Sequence, residues 1–142
     1  MSSPDPKQLQ VAHAVLDHLN VLDYTALAEF LAPDFKHRYL PSTIHAADGK
    51  VERGKDEWLE VVKYNSSQLF EKVTYGPPLD VIHGASSVVF HLTSVGMSKS
   101  GKQYKNEYMV TFHFEGDKIV KLNEFVDSSY SIAYFAALRA EL

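Results

Sequence analysis

Apolar residues along the chain recur first at helical spacing and later with period two. Leu9, Ala12, Leu16 and Leu19, with Val15 beside them, predict a first helix that starts at Pro4-Asp5-Pro6. Asp23 suits the N-cap of a shorter second helix, with Leu27, Phe30 and Leu31 inward and Pro33 at its end. A third helix would carry Trp58, Val61, Val62, Asn65 and Leu69 on one stripe, Asn65 being its polar exception. Between the last two, residues 35–40 alternate as a short strand. Phe35, His37 and Tyr39 lie on one side, Lys36 and Arg38 on the other, and a polar loop runs on to Gly54.

From Val73 the period is two. Pro77-Pro78 interrupts the first extended segment, residues 79–82 resume it, and Gly84-Ala85-Ser86 turns the chain into a strand over 88–97. After a turn at 98–101, residues 104–126 read as a hairpin joined at Glu115-Gly116-Asp117, and 131–142 return to a helix with Ile132, Phe135, Ala136 and Leu138 available to pack. Helices, an antiparallel meander and a closing helix make an α+β class, read as a single domain over 1–142. A sheet curved around its helices would enclose a cavity fit for a small ligand.

One residue breaks the hairpin's pattern. Val120, Leu122, Glu124 and Val126 share a face, which sets a carboxylate in an apolar row. Burying it there is costly unless it finds a partner or holds its proton, and either state suits acid/base work; a solvated glutamate or a structural ion pair is the alternative. A two-residue turn, Gly116-Asp117, sets Glu124 opposite Met109. A three-residue turn sets it opposite Tyr108, groups Asn106, Tyr108, Val110 and Phe112 with it, and is preferred because that face is more apolar.

His37, on the strand that would close the cavity from the other side, is the second candidate, because imidazole titrates near neutrality. Its neighbour Tyr39 faces the same way. Trp58 and Asn65 are further wall candidates, although packing alone would account for the tryptophan. His13, His18 and His45 read as exposed, and His91 and His113 as outward on the sheet. Asp127, three residues beyond Glu124, changes face and precedes a helix, so it reads as an N-cap.

Composition narrows the classes. With 45% hydrophobic and 23% charged residues over 142 positions, the chain reads as an ordinary globular protein. A formal net charge of -4 without any Lys/Arg cluster argues against nucleic acid and anionic membranes as partners. No cysteine is present, which excludes disulfides, zinc-thiolate sites and a cysteine nucleophile. No HxH or HxxxH spacing suggests a metal, and no GxSxG suggests a catalytic serine. The N-terminal stretch lacks a signal-like apolar region, so a soluble cytoplasmic protein is expected.

These features together resemble the NTF2-like superfamily, in its SnoaL-like branch of cone-shaped α+β proteins. GDKIVKLNEFVDS stands where that family has its GKI...EYFD ending. HRYLPST, GKQYKNEYMVTF and EFVDSSYSIAYF are similar to small fungal proteins of meroterpenoid pathways that act as isomerases or cyclases. The resemblance implies a cofactor-free enzyme moving a proton beside a carbonyl of an apolar polycyclic terpenoid or polyketide. Glu124 and His37 would be its catalytic pair, and Tyr39, Trp58, Asn65, Asn106, Tyr108, Leu122 and Val126 would bind substrate. Glu124 stands where SnoaL-type cyclases and limonene epoxide hydrolases have an inward Asp, and Tyr39 where ketosteroid isomerases have their base. The resemblance also allows a non-catalytic binding or dimerisation module, and it implies a homodimer through the outer sheet face, His91 and Thr93 included. An epoxide hydrolase would need an Asp-Arg pair that the third strand does not offer.

Overall fold

In the computed structural model, which describes residues 3–44 and 49–141, the first helix, α1 (Pro6–Asn20), starts where Asp5 accepts the Lys7 backbone N–H and Pro6 fills the first turn. Ala12, Val15 and Leu16 of the expected stripe are buried, together with Val11, which was not part of it, while Leu9 and Leu19 are half-buried at its ends. Asp23 caps α2 (Tyr24–Glu29) through the Ala26 N–H. Pro33 does not end that helix. It lies within β1 (Leu31–Leu40), at a break in pairing between Leu31 and Lys36, where a residue without an N–H leaves the ladder intact on either side.

The polar segment before Gly54 contains a short strand, β2 (Glu52–Gly54), which pairs antiparallel with β1. It escaped the sequence reading because three residues are too few to show a period. Then come α3 (Lys55–Tyr64), a π-helical turn (Asn65–Leu69), β3 (Phe70–Tyr75), β4 (Asp80–His83), β5 (Ser87–Ser98), β6 (Gln103–Glu115), β7 (Lys118–Val126) and α4 (Ser128–Arg139). His45 lies outside the described residues.

The strands form one mixed sheet in the order β2-β1-β7-β6-β5-β3, with β4 also on β5. It is not wholly the meander expected, since β1 runs parallel to β7. The sheet curls as a half-barrel around the N-terminal helices, and Val11, Val15, Leu27, Phe35, Phe90 and Phe112 fill that concave side. Asn20 ties α1 to β3 by donating to the Tyr75 carbonyl and accepting its N–H, at 3.0 and 2.8 Å. α4 begins at Asp127, whose carboxylate accepts the Tyr130 N–H as expected. Ile132, expected to pack, is 53% exposed; α4 instead buries Tyr134 and Leu138 against Phe70 and Tyr104.

The hairpin register differs from both alternatives. Glu115 pairs with Lys118 across Gly116-Asp117, Gly116 taking the positive φ that such a tight turn favours. A break between His113 and Phe114 then shifts the ladder by one, so Val110 faces Glu124 and Tyr108 faces Val126. The extra residue is Val120. Ile119, not Val120, joins Leu122, Glu124 and Val126 on the buried side.

Candidate active site

Pairing across β2, β1 and β7 assembles one inner face. Arg53 is opposite His37, His37 is beside Leu122, and Tyr39 is beside Glu124. On the far strands Asn106 is opposite Ser94 and Tyr108 opposite Leu92. With α3, the π-helical turn and α4, this face bounds a cavity of about 810 Å³. Its walls are mostly apolar and aromatic, as small-molecule pockets require. Trp58, Val62, Leu69, Phe70, Phe135 and Leu138 supply much of that surface.

Of the residues expected at the site, Tyr39, Trp58, Asn65, Asn106, Tyr108, Glu124 and Val126 line the cavity. His37 and Leu122 do not. Leu122 is 2% exposed and belongs to the core below Glu124. His37 has no exposed surface; its Nε2 is 3.6 Å from Glu124 Oε1, beyond hydrogen-bond length. The imidazole stacks on Trp58 at 5.3 Å between centroids and meets the edge of Tyr39 at 4.6 Å. Neither of its nitrogens, nor Trp58 Nε1, has a hydrogen-bond partner among the described residues. Glu124 thus stands on the cavity wall with a histidine behind it.

The sequence reading missed Arg53, Tyr75, Tyr104 and Ser131, all on the same cavity. Arg53 is 3% exposed, and its guanidinium lies 5.9 Å from the Tyr39 ring centre. No strand pattern signalled it. Tyr104, by contrast, continues the period-two row of Asn106 and Tyr108 and could have been found by extending it. These groups form a hydrogen-bonded chain. Asn106 Nδ2 donates to the Tyr104 hydroxyl at 2.8 Å and to Ser131 Oγ at 2.9 Å; Tyr104 and Tyr108 share a 3.0 Å bond, and Tyr108 and Ser94 one of 2.9 Å.

Burial pushes the Tyr39 phenol well above its ordinary range, the Glu124 carboxylate adds to this, and Arg53 opposes it. Tyr75 is raised for the first two reasons, and Tyr108 chiefly by burial. Tyr104 is raised by burial, while its bonds from Asn106 and Tyr108 pull it back. Around Glu124 the phenols are therefore neutral donors at ordinary pH. A carboxylate facing neutral donors in an apolar cavity can take a proton from carbon and leave the resulting oxygen charge hydrogen-bonded.

Farther from the cavity, His13 is exposed beside Phe90, and His18 stacks on Phe30. His91 lies on the outer sheet face, 2.6 Å from Glu107. The described residues contain no group of three or more His, Asp or Glu placed to hold a metal, and no helix long and apolar enough to cross a membrane.

A family model described as "SnoaL-like domain" matches residues 12–122. No curated protein matches the chain. Among solved structures, PrhC from Penicillium brasilianum superposes with a TM-score of 0.81 at 13% identity, covering 95% of this chain and 89% of that one. BvnE pinacolase from Penicillium brevicompactum gives 0.77 at 23% identity, with 95% of each chain covered. AusH from Aspergillus nidulans gives 0.73 at 19%, over 89% of this chain and 88% of its own. At these identities the likeness is one of fold.

Proposed function

The chain belongs to the SnoaL-like domain family, and on that premise we propose that it is an isomerase or cyclase that moves a proton next to a carbonyl of an apolar polycyclic metabolite. The observation that carries this reading is Glu124, a 9% exposed carboxylate on the wall of a ligand-sized apolar cavity, with His37 Nε2 3.6 Å behind it. In the proposed reaction Glu124 removes a proton from the carbon beside the carbonyl. The electron pair moves onto the carbonyl oxygen, which the neutral phenols hydrogen-bond, and Glu124 returns the proton at a second position. Attack of the same carbon on another carbonyl would close a ring.

Proton transfer of this kind asks only for a base, hydrogen-bond donors and a shielded site, so the reaction is proposed to need no cofactor. His37, without exposed surface, is assigned to positioning Glu124 rather than to touching substrate. Skeletal rearrangement of the pinacol type, in which one hydroxyl is protonated and leaves as water while a neighbouring group migrates and the other hydroxyl gives up its proton, would use Glu124 as acid and then base and stays within the proposed range. A fungal terpenoid or polyketide is the proposed substrate class. The outer sheet face, where Val95, Met97, Met109 and Phe125 are exposed, is the proposed homodimer surface.

The test is exchange of solvent deuterium into the carbon beside the carbonyl of a panel of bicyclic and polycyclic ketones, followed by NMR. We expect Glu124→Gln to slow exchange by at least about 100-fold, and His37→Leu to slow it less, both proteins keeping wild-type circular dichroism. Exchange at the wild-type rate by folded Glu124→Gln protein would sink the assignment.

A further inference from the structure

The hydrogen-bonded chain beside Glu124 can be read by counting protons. Asn106 has two amide hydrogens, and both are committed, one to Tyr104 and one to Ser131; its Oδ1 accepts the Glu107 N–H at 2.9 Å. Asn106 therefore has no proton left for a ligand, although it lines the cavity. Each hydroxyl of Tyr104, Tyr108 and Ser94 carries one proton and can accept twice. Three proton orders fit the distances. In one, Tyr104 and Ser94 both donate to Tyr108 and leave its proton over, but the Tyr104–Tyr108 bond pulls the Tyr104 hydroxyl down and pushes that of Tyr108 up, as it does when Tyr108 is the donor. If Tyr104 donates to Tyr108 and Tyr108 to Ser94, the Ser94 proton is stranded, because Ser94 is 1% exposed and Tyr108 is its only side-chain partner among the described residues. If Ser94 donates to Tyr108 and Tyr108 to Tyr104, every buried proton is used. Tyr104 then accepts from both Asn106 and Tyr108, and of these three hydroxyls its own proton is the one left over.

That proton has one place to go. Tyr104 lines the cavity that Glu124 also lines, and Ser94 does not. We propose that Tyr104 Oη is the donor of a second polar station, so that the cavity takes an apolar polycycle with two oxygen functions: one that engages Glu124, and a carbonyl oxygen that accepts from Tyr104. This rests on the reading of Glu124 as the acid/base group and deepens it by naming what the substrate must carry. A phenol that accepts two bonds is polarised toward donating, since each acceptor bond stabilises charge left on its oxygen. The direction in which Asn106 and Tyr108 move the Tyr104 hydroxyl, against burial, agrees with this.

Calorimetric titration with tetralin, tetralone and hydroxytetralones tests the two stations separately. The first has no oxygen, the second one carbonyl, and the third adds a hydroxyl on the other ring. For the wild-type protein we expect the ratio of tetralone to tetralin affinity to exceed that of Tyr104→Phe by about fivefold, the worth of one net hydrogen bond. A further gain for the best hydroxytetralone should be lost in Glu124→Gln and kept in Tyr104→Phe. Tyr104→Phe retains the ring that packs on Phe70, Tyr134 and Phe135, and its tetralin affinity reports whether the cavity survives. Should it not survive, Tyr108→Phe serves, with an expected loss of about twofold in the same ratio. An unchanged ratio in either surviving variant overturns the proposal. If the carbonyl gain follows Tyr104 while the hydroxyl gain ignores Glu124, the Tyr104 station stands and the oxygen station at Glu124 falls; the acid/base reading falls only if Glu124→Gln protein also exchanges deuterium at the wild-type rate. If wild-type protein binds none of the three, both fall.

Discussion

The two polar ends of the cavity are built on opposite terms. Around Tyr104 the polar atoms of Asn106, Tyr108, Ser94 and Ser131 meet one another at hydrogen-bond length. Around Glu124 the polar atoms are close without bonding: His37 Nε2 stays 3.6 Å away, and both imidazole nitrogens and the Trp58 N–H lack partners among the described residues. An unmade buried hydrogen bond costs about 1–3 kcal/mol, so folding alone gives no reason to place an imidazole there when an apolar side chain would do. The first end is ordered by its own bonds and holds a group still. The second is held by aromatic packing on Trp58 and Tyr39 and leaves its polar atoms available for chemistry.

The largest way to sharpen this contrast is alkaline titration. The Tyr39, Tyr75, Tyr104 and Tyr108 phenols all lie above their ordinary value in the folded protein, first through burial. Between the unfolded value near 10 and the higher folded values, the native state binds more protons than the unfolded one. Stability should thus be full below about pH 10 and fall as pH rises, by up to about 1.4 kcal/mol per pH unit for each such phenol. Urea unfolding midpoints measured across that range check it. Tyr108→Phe should flatten the slope by one phenol, and an unaltered slope would mean that this hydroxyl is not held neutral by the bonded end.

The next effect is on the bonded end itself. Asn106→Ala strands Ser131 Oγ and the Glu107 N–H and removes a donor from Tyr104, so we expect a loss of about 2–4 kcal/mol in chemical denaturation. A loss below about 1 kcal/mol would show that the chain's bonds are replaceable by solvent.

What could be read from the sequence follows the same division. Glu124 was legible because a carboxylate interrupts a period-two apolar row, and His37 and Tyr39 because their strand alternates cleanly. Their assembly was only partly legible. The face expected for Glu124 is the one observed, but through a bulge at Val120, which no turn rule announces and which replaces Val120 by Ile119 in the buried row. Arg53 was hidden because β2 is three residues long and acquires meaning only through its pairing with β1. The retreat of His37 behind the wall was hidden too, since period two gives the side a residue faces and not its depth. Helix caps at Asp23 and Asp127, and the helix entry at Pro4-Asp5-Pro6, were plain because capping is local chemistry.

The smallest expected effect is the most discriminating. His37→Leu removes an imidazole that makes no hydrogen bond and replaces it with an apolar side chain of similar volume, at a site with no exposed surface. It gives up the stacking on Trp58 and relieves two unpaired nitrogens, effects of similar size and opposite sign. Stability by denaturant titration should therefore stay within about 1 kcal/mol of wild type, whereas Asn106→Ala should not. If the two variants are equally destabilised, His37 holds the fold as Asn106 does and the contrast between the two ends disappears. If His37→Leu is as stable as wild type and yet exchanges deuterium more slowly, the imidazole serves Glu124 rather than the fold.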